Sequence, residues 1–390
     1  MTSTVRGWSP QHRRVVDVRW RGGVVTDIEP TGPVCEKPPD GEPVVVPGLV
    51  DLQVNGFRGH DVNAADVTPD TIAAITEAMA EVGVTTWVPT VVTAPEPFIH
   101  HALEQVTIAI ARHPEVAAAV PMAHVEGPFI SDRDGARGVH DPSCIRPLDA
   151  DEVYRWTSRH PVVGIVTVSP HAQDAPEQIS RIVDLGVTVS IGHTHASTAQ
   201  LHDAVDAGAS LATHLGNGIA SLLPRHPNAI WTLLADDRVT AGLIADGHHL
   251  PADVLTVMLR AKTATRAFLV SDSTALAGQA PGRYDTPVGG QVDVSVDGRL
   301  SFVGTDLLAG GGRHLADGVR HLVSALGVPW SDVARLASDT PGRLLGTRRR
   351  YAGLLEPGGP ANLVLLEPSG PEVGALTRVV RAYGPSGRGG

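Results

Sequence analysis

The chain has 390 residues, with 31 lysines and arginines against 42 aspartates and glutamates, for a formal net charge of −11. That acidity, with no basic run beyond Arg348-Arg349-Arg350, excludes nucleic acid and anionic membrane as partners. No apolar run reaches bilayer-spanning length, the opening MTSTVRGWSPQHRR lacks a signal-peptide core, and Cys35 and Cys144 fall in different predicted regions, so a cytoplasmic protein without structural disulfides is expected.

Apolar runs of strand length recur at 49–54 (LVDLQV), 84–92, 116–125, 162–168, 187–193, 210–214, 239–246 and 266–272. Most intervals read as amphipathic helix: Ile72, Ile75, Met79 and Val82 fall three to four apart, and Pro251 opens another helix ahead of Val254, Val257 and Met258. Continuous apolar strands alternating with helices predict the α/β class, and eight such units close into a (β/α)8 barrel. A doubly wound open sheet is the rival, but no glycine-rich phosphate loop follows the first strand, and polar strand ends continue from the third strand to the eighth. Such a barrel takes roughly 250 residues. The surplus at 1–47 and 345–390, short strand-like pieces broken by Gly and Pro, predicts a small β-sandwich built from both termini around a barrel over 48–344. Within 276–305, Asp297-Gly298 between alternating apolar positions predicts a β-hairpin, and Ser324 to Leu336 is expected to hold two short helical segments that close the barrel.

Five polar runs follow strand-like stretches: His124-Val-Glu126, His193 in IGHTHAS, His214 in THLGNG, His249 in ADGHHL and Asp272 in LVSDST. On parallel neighbours of one closed sheet, all five meet at the same rim. A carboxylate at a buried strand end is costly unless it meets a cation, which favours Glu126 as a ligand over a structural role. Among 18 histidines most must be surface or ordinary hydrogen-bonding groups, so His193 and His214 gain meaning from their joint placement. Two imidazoles and one carboxylate make a common catalytic zinc set that leaves a position open for water. His124 is a weaker candidate, His195 a neighbour of the ligands or a helix start, and the plain alternative for Asp272 is a helix cap.

The order of the runs PGLVDLQVNGFRGHDVN, HVEGPFISDRDGARGVHDP, IGHTHAS, THLGNGIASLLPRHPNAI, GLIADGHHL, LVSDST and GLLEPGGPANLVLLE resembles the successive signatures of N-acetylglucosamine-6-phosphate deacetylases, in the amidohydrolase superfamily. The resemblance covers nearly the whole chain. It implies that Glu126, His193 and His214 hold the metal, that Asp272 is the acid and base, and that His140 polarises the carbonyl. It further implies that His249 and Arg225 contact the sugar and its phosphate beside a wall formed by Asn217 and Gly218. In the family the arginine reaches into the neighbouring subunit's site, which implies a homodimer.

Gln53-Val54-Asn55 stands where many amidohydrolases carry His-x-His, and the two lysines, Lys37 and Lys262, cannot supply a bridging carboxylated lysine. One divalent ion per subunit, zinc, is therefore expected. The sequence departs from the family's usual pattern at Asn217-Gly218-Ile219, at Ser169-Pro170-His171, which removes a carboxylate, and at Gly310-Gly311-Gly312. These bear on which N-acyl sugar fits. The alternatives are a deacetylase for N-acetylgalactosamine 6-phosphate or for an unphosphorylated or nucleotide-linked sugar, and, from another class, a non-catalytic sugar-phosphate sensor. The latter would have no use for the proton shuttle at Asp272.

Overall fold

Eight parallel strands hydrogen-bond in sequential order: Leu49–Val54, Val84–Val92, Ala123–Glu126, Val163–Val168, Thr188–Ile191, Leu211–Ala212, Thr240–Ile244 and Ala267–Val270. The ring closes where the eighth strand runs back along the first. There Asp272 N–H donates to the Gln53 carbonyl at 3.0 Å, and Asn55 N–H donates to the Ser273 carbonyl at 2.8 Å. The computed structural model describes residues 2–286, 290–368, 370 and 373–381.

All six residues of the first strand are buried, as expected of a strand covered on both faces. Val50, Leu52, Val88, Ile165, Ile244 and Phe268 belong to a cluster of their own that fills the barrel interior, apart from the larger cluster between strands and helices. A filled interior leaves only the upper rim for polar chemistry. Helix Pro69–Glu81 starts at a Thr68 capping box with proline in its first turn and buries Ile72, Ile75 and Met79, the face that the spacing predicts. No helix among the described residues is long and apolar enough to cross a membrane.

Three local expectations need correction. The run 116–125 is not one strand: Pro114–Ala119 is helical, because proline suits a first turn and alanine is the best helix former, and the strand begins at Ala123. Helix Ala252–Lys262 leaves Val254 and Val257 exposed and buries Leu255, Met258 and Lys262. Its orientation suits the Lys262 ammonium, which donates to the carbonyls of Asp236 (2.5 Å) and Val239 (2.9 Å). The 324–336 region starts at the end of helix Leu315–Ser324, and its two helical segments, Trp330–Ala334 and the start of the π-helical Arg335–Asp339, come only after Gly327 in a left-handed conformation (φ +63°).

The 276–305 excursion is a three-stranded antiparallel sheet, Gly282–Thr286, Gly290–Val294 and Leu300–Phe302. Its second turn is the predicted Asp297-Gly298 hairpin, with Gly298 at φ +80°; residues 287–289 lie outside the described set. The termini form a separate six-stranded sheet in the order Leu376–Val380, Leu363–Leu366, Val44–Pro47, Thr2–Ser9, Arg14–Arg21, Val24–Pro30. Strand alternation sorts its side chains: Val44, Val46, Val364 and Leu366 join the main core, while Val45, Leu363 and Leu365 join Val5, Val16 and Val18 in a second one.

Candidate active site at the barrel mouth

Glu126 ends the third barrel strand, and His193, His214 and Asp272 each lie two residues beyond the ends of the fifth, sixth and eighth. Six described non-glycine residues have positive φ, and three of them are His193 (46°), His214 (27°) and Asp272 (49°). Such backbone costs on the order of 1–3 kcal/mol per residue and persists only where surrounding structure enforces it. It coincides here with three polar side chains brought together at the mouth.

The imidazole Nε2 of His193 lies 3.2 Å from Glu126 Oε1, that of His214 3.0 Å from the same oxygen, and the two Nε2 atoms are 3.0 Å apart. All three residues are buried, and among the described residues they form the group whose ligand atoms all lie within 4.8 Å of one another. Gly138 and Gly218 pack against the His193 ring. A Cβ on Gly218 would sit 2.8 Å from its Nδ1, and one on Gly138 3.2 Å from its Cε1.

The donor set fits a divalent cation. His193 Nδ1 donates to the Ala136 carbonyl at 2.9 Å, which fixes the ring with its Nε2 toward Glu126 and His214. Lone pairs and a carboxylate converging in a buried pocket repel unless a proton or a cation lies among them. The proton solution is visible at His214: burial pulls its pKa down, but the hydrogen bond and charge of Glu126 outweigh this and lift it to about 8. Burial likewise presses Glu126 toward protonation, and hydrogen bonds with His193 and His214 hold it well below the usual carboxylate range.

Asp272 is half-buried at the mouth, and desolvation of its carboxyl, followed by the charge of Glu126, pushes its pKa up to about 6. Two amides orient the carboxylates. Gln53 Nε2 donates to both Glu126 oxygens at 3.1 Å, and Asn55 Nδ2 donates to Asp272 Oδ1 at 2.8 Å. The positions that the sequence presents as a missing histidine pair are thus the fixing points of a ligand and of its acidic neighbour. His140 Nε2 stands 3.4 Å from His193 Nε2, and burial, then repulsion from His193, lowers its pKa to about 3, so the ring is neutral.

These groups line a cavity of about 1230 Å³ that also takes in Asn217, Gly218 and His249. The His249 Nδ1 is paired with Asp246 Oδ2 at 2.8 Å, leaving Nε2 uncommitted. Tyr284, Val292 and Phe302 of the three-stranded sheet form the far wall. His124 is not drawn into the cluster; its Nε2 bonds Thr167 Oγ1 at 2.7 Å. His195 bonds Ser131 Oγ at 2.6 Å, and its ring centroid lies 4.3 Å from that of His171 at a 34° tilt. Arg225 is exposed in the loop after His214 and is not part of its own chain's cavity wall. Arg137, in the loop before His140, does line the wall, and sequence reasoning missed it.

A filled barrel with a buried Glu-His-His cluster and a protonatable carboxylate at its mouth defines a hydrolase of the metal-assisted barrel type. The chain belongs to the amidohydrolase family, whose model matches residues 44–382. It is 33% identical over 368 residues to an N-acetylgalactosamine-6-phosphate deacetylase of Escherichia coli O157:H7, covering 93% of each chain. It is also 32% identical over 369 residues to the human N-acetylglucosamine-6-phosphate deacetylase, covering 90% of this chain and 88% of that one. Among solved structures, the N-acetyl-D-glucosamine-6-phosphate deacetylase of Mycobacterium smegmatis superposes with a TM-score of 0.84 at 28% identity, covering 98% of both chains.

Proposed function

We propose that this chain hydrolyses the acetamide of N-acetyl-D-glucosamine 6-phosphate to D-glucosamine 6-phosphate and acetate, as one subunit of a cytoplasmic homodimer with one zinc ion per site. The observation that carries the reading is the buried Glu126, His193 and His214 cluster with Asp272 beside it, in a chain whose relatives bear that activity in their names. A divalent cation held by those three residues would supply Lewis acidity to a water molecule and to the amide carbonyl.

Asp272 takes the proton of the attacking water and delivers it to the leaving amine, since an amine leaves readily only when protonated. Asn55 keeps one carboxylate oxygen fixed and leaves the other for this transfer. His140, neutral and buried, donates an N–H to the oxygen on which charge develops. His249 offers Nε2 to the sugar or its phosphate, Asn217 and Gly218 form the sugar wall, and Arg225 reaches the phosphate in the neighbouring subunit's site. In this reading residues 48–344 form the catalytic unit, and 1–47 with 345–390 its support; residues 369, 371–372 and 382–390 lie outside the described set.

The 33% identity to the E. coli relative favours a second reading, N-acetylgalactosamine 6-phosphate as substrate. Incubation of the zinc-loaded protein with each 6-phosphate, followed by NMR, tests both. Free acetate from the gluco epimer supports the first reading, acetate from the galacto epimer alone supports the second, and release from neither contradicts both.

A further inference from the structure

The cavity at the barrel mouth is poor in positive charge. Its walls carry the carboxylates of Asp61, Asp66, Glu126, Asp141, Asp272 and Asp285, and Arg137 is the one lysine or arginine among the described residues that line it. An anionic substrate would be repelled from such a cavity unless a cation on its wall received the charge.

Arg137 is held where it could do so. The preceding residue's carbonyl, that of Ala136, accepts the 2.9 Å hydrogen bond from His193, and the following residue, Gly138, packs against the His193 ring. The backbone of Arg137 is therefore pinned on both sides to a candidate metal ligand. Its side chain is only 26% exposed, yet its one ionic partner is Asp134, which is 92% exposed. One terminal nitrogen donates to the Asp132 carbonyl at 3.1 Å and the other to Asp134 at 2.7 Å, which uses two of the five N–H donors. An ion pair with a solvated carboxylate is weak, so the guanidinium remains available to a more strongly anionic partner.

We propose that Arg137 binds the phosphate of the substrate from within the same chain, independently of any arginine supplied by a second subunit. The inference rests on the reading of the substrate as a 6-phosphorylated N-acetylamino sugar. In that molecule the acetamide stands on a ring carbon and the phosphate on the exocyclic carbon, so a site that places the acetamide at the His193 cluster needs an anion receptor at a separate point of the cavity wall.

The test measures steady-state kinetics on N-acetylglucosamine 6-phosphate and on N-acetylglucosamine for the zinc-loaded wild type, Arg137→Ala and Arg137→Lys, with zinc content determined for each. Arg137→Ala should retain its zinc and raise KM for the phosphorylated sugar at least about tenfold, with a much smaller change for the unphosphorylated one, and lysine should restore part of the loss. In parallel, calorimetry with inorganic phosphate on the same three proteins reads the anion site without turnover. Wild-type phosphate binding that weakens in Arg137→Ala sustains the proposal even if no sugar is deacetylated, a result that would overturn only the substrate reading. Equal KM changes on both sugars, or phosphate binding indifferent to the substitution, would overturn the proposal itself.

Discussion

Replacing Asp272 by asparagine separates proton transfer from everything else the site does. The backbone there sits at φ 49°, a conformation that asparagine tolerates as well as aspartate. The new amide can still present its oxygen to Asn55 Nδ2, which donates at 2.8 Å to Asp272 Oδ1 in the native protein. The cluster of Glu126, His193 and His214 keeps all three of its members. Lost are the base for the attacking water and the acid for the leaving amine, both assigned to this carboxyl, whose pKa of about 6 lies close to neutrality. General acid–base catalysis contributes roughly 10²–10⁴ in rate, so a loss of about 10³ in kcat, or about 4 kcal/mol of barrier, is expected. Zinc content and the far-ultraviolet dichroism spectrum should be unchanged. A rise in KM at constant kcat would refute the assignment and make Asp272 a positioning group.

Elemental analysis should find one divalent ion per chain; His214→Asn should lose both ion and turnover, and two stoichiometric ions in active protein would contradict the account. Arg225→Ala should raise KM strongly for the 6-phosphorylated sugar and little for the unphosphorylated one, and equal losses on both would assign it a structural role. Asp51 is fully buried, its Oδ2 has no partner, and burial raises its pKa from 3.8 to about 7. Because the folded value is the higher one, the contribution of this group to stability is complete below the unfolded value and is lost as pH rises through about 7. Linkage over that interval amounts to about 4 kcal/mol. Asp51→Asn should therefore match wild type in urea midpoint near about pH 4 and exceed it near about pH 8, and a difference independent of pH would show that Asp51 stays ionised.

The first two barrel strands are legible to the residue, because LVDLQV and VTTWVPTVV are apolar, β-branched and buried on both faces. Legibility failed at 116–125, where an alanine-rich apolar run serves as a helix and then a strand, a distinction that periodicity cannot make. Glu126, His193, His214, His249 and Asp272 are visible because each follows an apolar run, whereas His140, in the polar segment ARGVHDP, is reached only through the family resemblance. The amide partners of the two carboxylates are not visible: Gln53 meets Glu126 across 73 residues and Asn55 meets Asp272 across 217, contacts that exist only once the barrel closes. Arg137 stayed hidden because an arginine in the polar segment SDRDGARG reads as a surface residue until the loop folds against His193.

The central claim is tested most directly by acetate release from four sugars, N-acetylglucosamine and N-acetylgalactosamine, each with and without a 6-phosphate, by the zinc-loaded protein and by the same protein after chelation. Zinc-dependent release with the highest kcat/KM on N-acetylglucosamine 6-phosphate is the predicted result. Release that survives removal of the metal, or a preference for the unphosphorylated sugars, would contradict it.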